Sequence, residues 1–190
     1  MTAIILAGGK SSRMGIDKGL LELYGKPLVQ HSIETVNYIT NDIIIISNQR
    51  GYDKFGLPVY EDYFKSKGPA GGIYTGLLHS TSKYNLVLGC DMPYLSNALL
   101  KYLAGFCKPG FDAYVPVVGK NPQPLCAIYT ANCAEMLKTA IEKGQLKMVS
   151  LIKEWNTNYI KISSKLKFYS PYLFANINTR QDLVKLISHI

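Results

Sequence analysis

Residues 2–18 read Thr2-Ala3-Ile4-Ile5-Leu6-Ala7-Gly8-Gly9-Lys10-Ser11-Ser12-Arg13-Met14-Gly15-Ile16-Asp17-Lys18. The first part is a continuous apolar run that stops at two glycines, the pattern of a buried strand followed by a turn. Adjacent glycines remove side chains where a ligand must approach the backbone, and they permit positive φ. Backbone N–H groups exposed in such a turn can form a nest for an anion. Arg13 and Lys18 bring two cations to the same loop: Arg can grip phosphate through two parallel hydrogen bonds, and Lys acts as a point charge. The spacing is neither G-x-x-x-x-G-K-[ST] nor G-x-G-x-x-G. Gly8-Gly9 alone would equally suit an ordinary turn with surface cations, but the full string is far more specific.

Outward from this strand, apolar runs alternate with helical patterns. Strands are predicted at 42–47, 59–60, 86–88, 113–118 and 125–129. Helices are predicted at 27–38 with Pro27 in the first turn, at 71–81, at 96–106 with Ser96 as N-cap, at 131–143 and at 180–190. Alternation of this kind predicts an α/β architecture with a mostly parallel sheet. Ligands of such sheets bind at the carboxyl ends of the strands, where strand order reverses. The sequence from Gly119 onward is less regular and reads as room for an inserted lobe, with no linker to divide it off, so residues 1–190 read as a single domain.

The bulk composition narrows the function classes. A chain of 190 residues with 47% hydrophobic and 18% charged residues buries a core without disulfides or structural metal. No apolar run approaches the length of a membrane span. The segment Met1 to Leu6 lacks the basic flank and the cleavage site of a signal peptide, so the protein reads as cytoplasmic. Cys90, Cys107, Cys126 and Cys133 form no C-x-x-C pair, which speaks for buried thiols rather than zinc or a disulfide framework. The net charge of +8 suits anionic ligands. The lysines are scattered and no nucleic-acid motif occurs, so neither nucleic acid nor a membrane is an expected partner.

Three further segments carry chemistry. Tyr60-Glu61-Asp62 precedes Lys67-Gly68-Pro69-Ala70-Gly71-Gly72. Leu86-Val87-Leu88-Gly89-Cys90-Asp91-Met92-Pro93 delivers one carboxylate at a strand end, the donor that Mg²⁺ takes together with substrate phosphates and waters. Near the C-terminus stands Phe174-Ala175-Asn176-Ile177-Asn178-Thr179, where a strand would put both asparagines on one face.

With these residues in view, the chain resembles the molybdenum cofactor guanylyltransferases. Their L-A-G-G-x-S-x-R-M-G-x-D-K signature is matched from Leu6 to Lys18, and Gly19-Leu20-Leu21 and Gly25-Lys26-Pro27-Leu28 extend the likeness. The resemblance implies a Rossmann-like three-layer sandwich. It also implies transfer of GMP from Mg-GTP to molybdenum-molybdopterin. Leu6, Ala7, Gly8 and Gly9 would then contact the nucleotide through the backbone, and Arg13 and Lys18 would hold the triphosphate. Asp91 would bind Mg²⁺ and nucleotide, with Asn178 supplying a further oxygen. Asp62 is acceptor-only and can take guanine N1–H and N2–H₂, a donor pair that adenine and cytosine lack. A strand-ending loop with helix-capping charge is the plainer reading of the Asp62 segment.

Two places depart from the family pattern. Ser47-Asn48-Gln49-Arg50 stands where some members carry an Asn; the gapless placement puts Ser47 there with Asn48 next to it, and Asn48 is the residue carried over as a nucleotide contact. Gln123-Pro124-Leu125 stands where some members carry His-Pro-Thr. Pterin contacts are expected at 119–123 and 142–149. Recipient molybdoenzymes or their chaperones are further expected partners. The competing readings are a cytidylyl- or sugar-phosphate nucleotidyltransferase of the same fold, and a non-catalytic carrier of molybdenum cofactor.

Overall fold

The computed structural model describes residues 1–8, 17–177 and 182. Ten strands form: β1 Thr2–Leu6, β2 Glu22–Leu23, β3 Lys26–Pro27, β4 Ile43–Ile46, β5 Val59–Tyr60, β6 Tyr84–Gly89, β7 Ala113–Val118, β8 Asn121–Pro122, β9 Cys126–Thr130 and β10 Thr157–Ile162. The α-helices are α1 Leu28–Val36, α2 Gly68–His79, α3 Asn97–Ala104, α4 Cys133–Glu142 and α5 Met148–Glu154. Strands β2 and β3 make a small hairpin; all the other described strands share one sheet, in the order β10-β7-β9-β6-β1-β4-β5, with β8 on β7.

The sheet is mixed, with parallel pairing dominant. β1 pairs in parallel with β4 and with β6, β4 with β5, and β7 with β10. β9 runs antiparallel to both of its neighbours, β6 and β7. The reason is local. Val118 pairs with Asn121 across a two-residue turn at Gly119, φ 61°, and the few residues that follow are too short for a crossover, which parallel pairing requires.

Both faces of the sheet are covered, which makes the three layers. Ala3, Ile5, Ile45 and Leu88 pack with Val29, Ile33 and Val36 of α1 and Leu99, Leu100 and Leu103 of α3. Ile4, Ile44, Ile46 and Val87 pack with α2, α4 and α5. Strands buried on both faces have no polar face to show, hence the uninterrupted Ile43–Ile46 run, all four residues buried.

The predicted elements are found with shifted ends. Pro27 is the N-cap residue of α1 and not part of its first turn. α2 begins three residues earlier than expected, with Pro69 in its first turn. Ser96 caps α3 by accepting from Leu99 N at 3.2 Å. The region after Gly119 is not an inserted lobe: β8, β9 and β10 all join the main sheet. Three elements there escaped the sequence reading, the two-residue strand β8 among them. α5 has seven residues and only three buried ones, Met148, Leu151 and Ile152, too few to set up a helical period. β10 is an edge strand in which Tyr159 and Lys161 face solvent. The helix expected at 180–190 lies outside the described residues, Asp182 excepted.

Candidate active site

The chain lays down β1, β4 and β5 side by side, then returns to place β6 on the other side of β1. The order reverses between β1 and β6, and the crevice beyond their carboxyl ends is where an open α/β sheet takes its ligand. Two of the four motifs leave the sheet there: Ala7-Gly8 after β1, and Cys90-Asp91 after β6.

One side of the crevice is built around a cation and an anion. Lys18 starts a 3₁₀ turn over residues 18–20, and its Nζ donates to Asp91 Oδ2 at 2.7 Å. The two side chains are 15% and 23% exposed, so a ligand can reach the pair. Asp17 caps the turn: its Oδ1 accepts from Gly19 N at 2.9 Å and from the Tyr52 hydroxyl at 2.7 Å. Beneath lies Cys90, buried, its thiol pushed up to about 12 first by burial and then by the Asp91 carboxylate. It is an inert packing group there and no nucleophile. The Ile177 N–H donates to the Asp91 carbonyl at 2.8 Å, which ties the fourth motif to the second half of the site. The segment up to Ile177 is irregular, not the strand that alternation suggested. Arg13, Gly9 and Asn178 lie outside the described residues.

The other side forms where β4, β5 and α2 meet. Asn48 and Asp62 bond reciprocally: Asn48 Nδ2 donates to Asp62 Oδ2 at 2.6 Å, and the Asp62 N–H donates to Asn48 Oδ1 at 3.0 Å. Desolvation raises the Asp62 carboxyl above its ordinary range, and the Asn48 amide pulls against that. A Cβ on Gly72 would lie 3.5 Å from Asp62 Oδ1 and 3.1 Å from Leu6 Cδ2, so the first residues of α2 crowd directly against this corner. On Gly8 a Cβ would lie 3.8 Å from Ser47 Oγ. Leu6, Gly8, Asn48 and Asp62 therefore share one corner. Two backbone groups expected to meet the nucleotide are already used by the sheet, however: Leu6 O accepts from Cys90 N, and Ala7 N donates to Ile46 O.

Beside the Asp91 half lies a cavity of about 200 Å³ lined by Val118, Asn121, Gln123, Tyr169 and Phe174, among others. Its walls run into the site. The chain after Gln123 reaches Leu125, whose carbonyl accepts from Gly89 N at 2.8 Å, and the chain after Phe174 reaches Ile177. Residues 121–123 fell within the expected acceptor region. Phe174 belongs to the fourth motif, though it was not expected as an acceptor contact; Tyr169, and Tyr52 as a partner of Asp17, were not marked by any spacing, because only the fold brings them there.

Comparison with known proteins agrees with this geometry. The sequence profile of the "MobA-like NTP transferase domain" matches residues 3–158. A molybdenum cofactor guanylyltransferase of Vibrio parahaemolyticus is 38% identical over 186 residues, 96% of this chain and 92% of the relative. A protein of Flavobacterium johnsoniae named as a probable molybdenum cofactor guanylyltransferase is 36% identical over 185 residues, 96% of this chain and 94% of its own length. The crystal structure of molybdopterin-guanine dinucleotide biosynthesis protein A from Archaeoglobus fulgidus superimposes with a TM-score of 0.82 at 26% identity, covering 100% of both chains. The chain belongs to the MobA-like NTP transferase family, with the molybdenum cofactor guanylyltransferases.

Proposed function

We propose that this chain transfers GMP from Mg-GTP to molybdenum-molybdopterin, forming the guanine dinucleotide cofactor and pyrophosphate. The observation that carries the reading is the pairing of two half-sites across Gly8: Asn48–Asp62 on one side and Lys18–Asp91 on the other. The first takes the guanine, with the Asp62 carboxylate accepting from the base. The second takes the phosphates, with Lys18 exchanging its bond to Asp91 for phosphate oxygen and Arg13 assisting. Backbone contact to the nucleotide falls to the groups from the Ala7 carbonyl onward, including Gly8 and Gly9.

No cluster of three or more His, Cys, Asp or Glu side chains that could hold a metal occurs among the described residues. Mg²⁺ fits that donor set, since it takes one or two carboxylates and leaves its other positions to phosphates and waters. Asp91 would hold it, with Asn178 as a second oxygen donor, and when bound it neutralises phosphate charge. The acceptor phosphate attacks the α-phosphorus of GTP in line; the bond to the β-phosphate oxygen breaks, and pyrophosphate leaves. The acceptor phosphate is already anionic near neutral pH, so positioning and charge neutralisation carry the reaction. The molybdopterin lies in the cavity between residues 121–123 and 169–174. All of residues 1–190 act as one domain in the cytoplasm and hand the product to recipient molybdoenzymes or their chaperones. Among the described residues no helix is long and apolar enough to cross a membrane.

Calorimetry with Mg-GTP, Mg-CTP and Mg-ATP tests the reading. GTP is expected to bind best. Asp62→Ala should weaken GTP by about 10- to 100-fold, the size of a hydrogen bond to a charged group, and leave CTP unaffected. Preference for CTP would move the chain to the cytidylyltransferases, and no triphosphate binding would favour a carrier. A protonated Asp62 offers fewer acceptor sites, so GTP affinity should also fall as pH is lowered through its raised pKa.

Gly89 gives a second check. A Cβ there would lie 2.8 Å from Asp91 Oδ1, so Gly89→Ala must displace the carboxylate. Transfer should fall on the order of 10²-fold, as for a comparable misplacement of a reacting group, while the melting temperature stays near that of the parent. Unchanged turnover would remove Asp91 from the reaction centre.

A further inference from the structure

We propose that Tyr52 is a positioning residue for Lys18, acting through Asp17, and so couples the base side of the site to the phosphate side. Tyr52 stands 35 positions from Asp17, in the loop that follows β4, and is 1% exposed. Its hydroxyl donates to the same Asp17 oxygen that caps the Lys18 turn. The other carboxylate oxygen, Asp17 Oδ2, is buried and has no hydrogen-bond partner among the described residues. Among the described residues one hydroxyl and one N–H hold this carboxylate, and losing the hydroxyl loosens it. The next residue is Lys18.

The packing is as specific as the bonding. A Cβ on Gly19 would lie 2.3 Å from the Tyr52 hydroxyl and 3.3 Å from Cys90 Sγ, so the phenol lies directly against the backbone of the turn. Burial, with the Asp17 carboxylate accepting its hydrogen bond, raises the Tyr52 phenol far above its ordinary range, which keeps it a donor at any working pH. At its other end the loop begins with Asn48, the partner of Asp62. Residues 48–52 thus touch both half-sites, and a displacement of Asn48 by the base is transmitted over a few residues to the Lys18 turn.

The inference rests on the proposed nucleotidyl transfer for its consequence, though not for its geometry. The test is a double-mutant cycle of Tyr52→Phe and Lys18→Ala in the full chain. It reads Mg-GTP affinity by calorimetry and GMP transfer in a single turnover. Tyr52→Phe keeps the ring and removes one hydrogen bond to a charged group, so affinity and transfer should each fall about tenfold or more, with the GTP-to-CTP preference retained because Asp62 is untouched. In the Lys18→Ala background the same change should have almost no further effect, since a residue that acts through Lys18 has nothing left to position there. Equal losses in both backgrounds would overturn the proposal and leave Tyr52 a packing residue, as would a Tyr52→Phe protein with unchanged binding and transfer. If Tyr52→Phe does not fold, Asp17→Asn takes its place in the cycle with the same expectation. Failure of the functional reading is separate: a parent protein that prefers CTP fails that reading, while the cycle is then read on CTP. No triphosphate binding by the folded parent would overturn both.

Discussion

Asp91→Ala is expected to lower transfer by about 10³-fold or more, the scale on which preorganised charge at a reacting phosphate acts, without unfolding the protein. Asp91 stands just beyond the end of β6, with its carbonyl held by Ile177 N and its carboxylate by Lys18. Both are contacts of the site, not of the core. The ion pair is partly open to water, and pairs of that kind contribute about 0–1 kcal/mol to stability, so thermal unfolding should change little. Loss of the carboxylate does two things at once: it removes the group proposed above to hold Mg²⁺, and it removes the Asp91 side of the Lys18 ion pair. Pyrophosphate release in a single turnover at saturating Mg-GTP is the measurement. Activity retained in excess Mg²⁺ would sink the assignment of Asp91.

The largest effect on stability is expected at Gly76, far from the chemistry. A Cβ there would meet Ile4 Cγ2 at 2.4 Å, Cδ1 at 2.8 Å and Cγ1 at 3.1 Å, and Ile4 is fully buried in the central strand. Helix propensity alone would favour Ala over Gly by about 1 kcal/mol. Overpacking a full core against a stiff β-branched side chain costs about 1–3 kcal/mol, occasionally more, so the clash wins. Gly76→Val should sit near the top of that range, at about 3 kcal/mol. For a chain of this size each kcal/mol moves the melting temperature by roughly 2–4 °C, giving a fall of roughly 6–12 °C. Ile4→Ala in the same chain should recover part of the loss. A Gly76→Val protein as stable as the parent would mean that α2 does not pack on β1 as closely as described. The same approach of α2 to the sheet brings Gly72 against Leu6 and Asp62, so the tight helix also shapes the base side of the site.

Much of the molecule was legible in the chain. Ile4-Ile5-Leu6, Ile43–Ile46 and Leu86-Val87-Leu88 have no polar face, and a run apolar on both sides can only be a buried strand between layers. Ser96 announced α3 because a hydroxyl before an apolar period satisfies helix N–H groups that nothing else reaches. Lys18, Asp62 and Asp91 were each singled out as candidates because their types, their neighbours and the family resemblance suit phosphate, guanine and metal. β10 and α5 were not legible. An edge strand buries only part of one face, and a seven-residue helix completes fewer than two turns, so neither sets up a period that a sequence can display.

By itself the sequence determined the candidate residues of the site, the alternation of strands and helices and the family signature, because those depend on residue type and short spacing. The tertiary structure alone decided which groups touch. Lys18 meets Asp91 across 73 positions and Tyr52 meets Asp17 across 35, the first made only when β6 is laid on one side of β1 and the second only when β4 is laid on the other. It also decided that β9 runs antiparallel, since that follows from how little chain remains after the β7–β8 turn. Contacts between distant residues depend on strand order and close packing, and these are properties of the assembled sheet that no local pattern encodes.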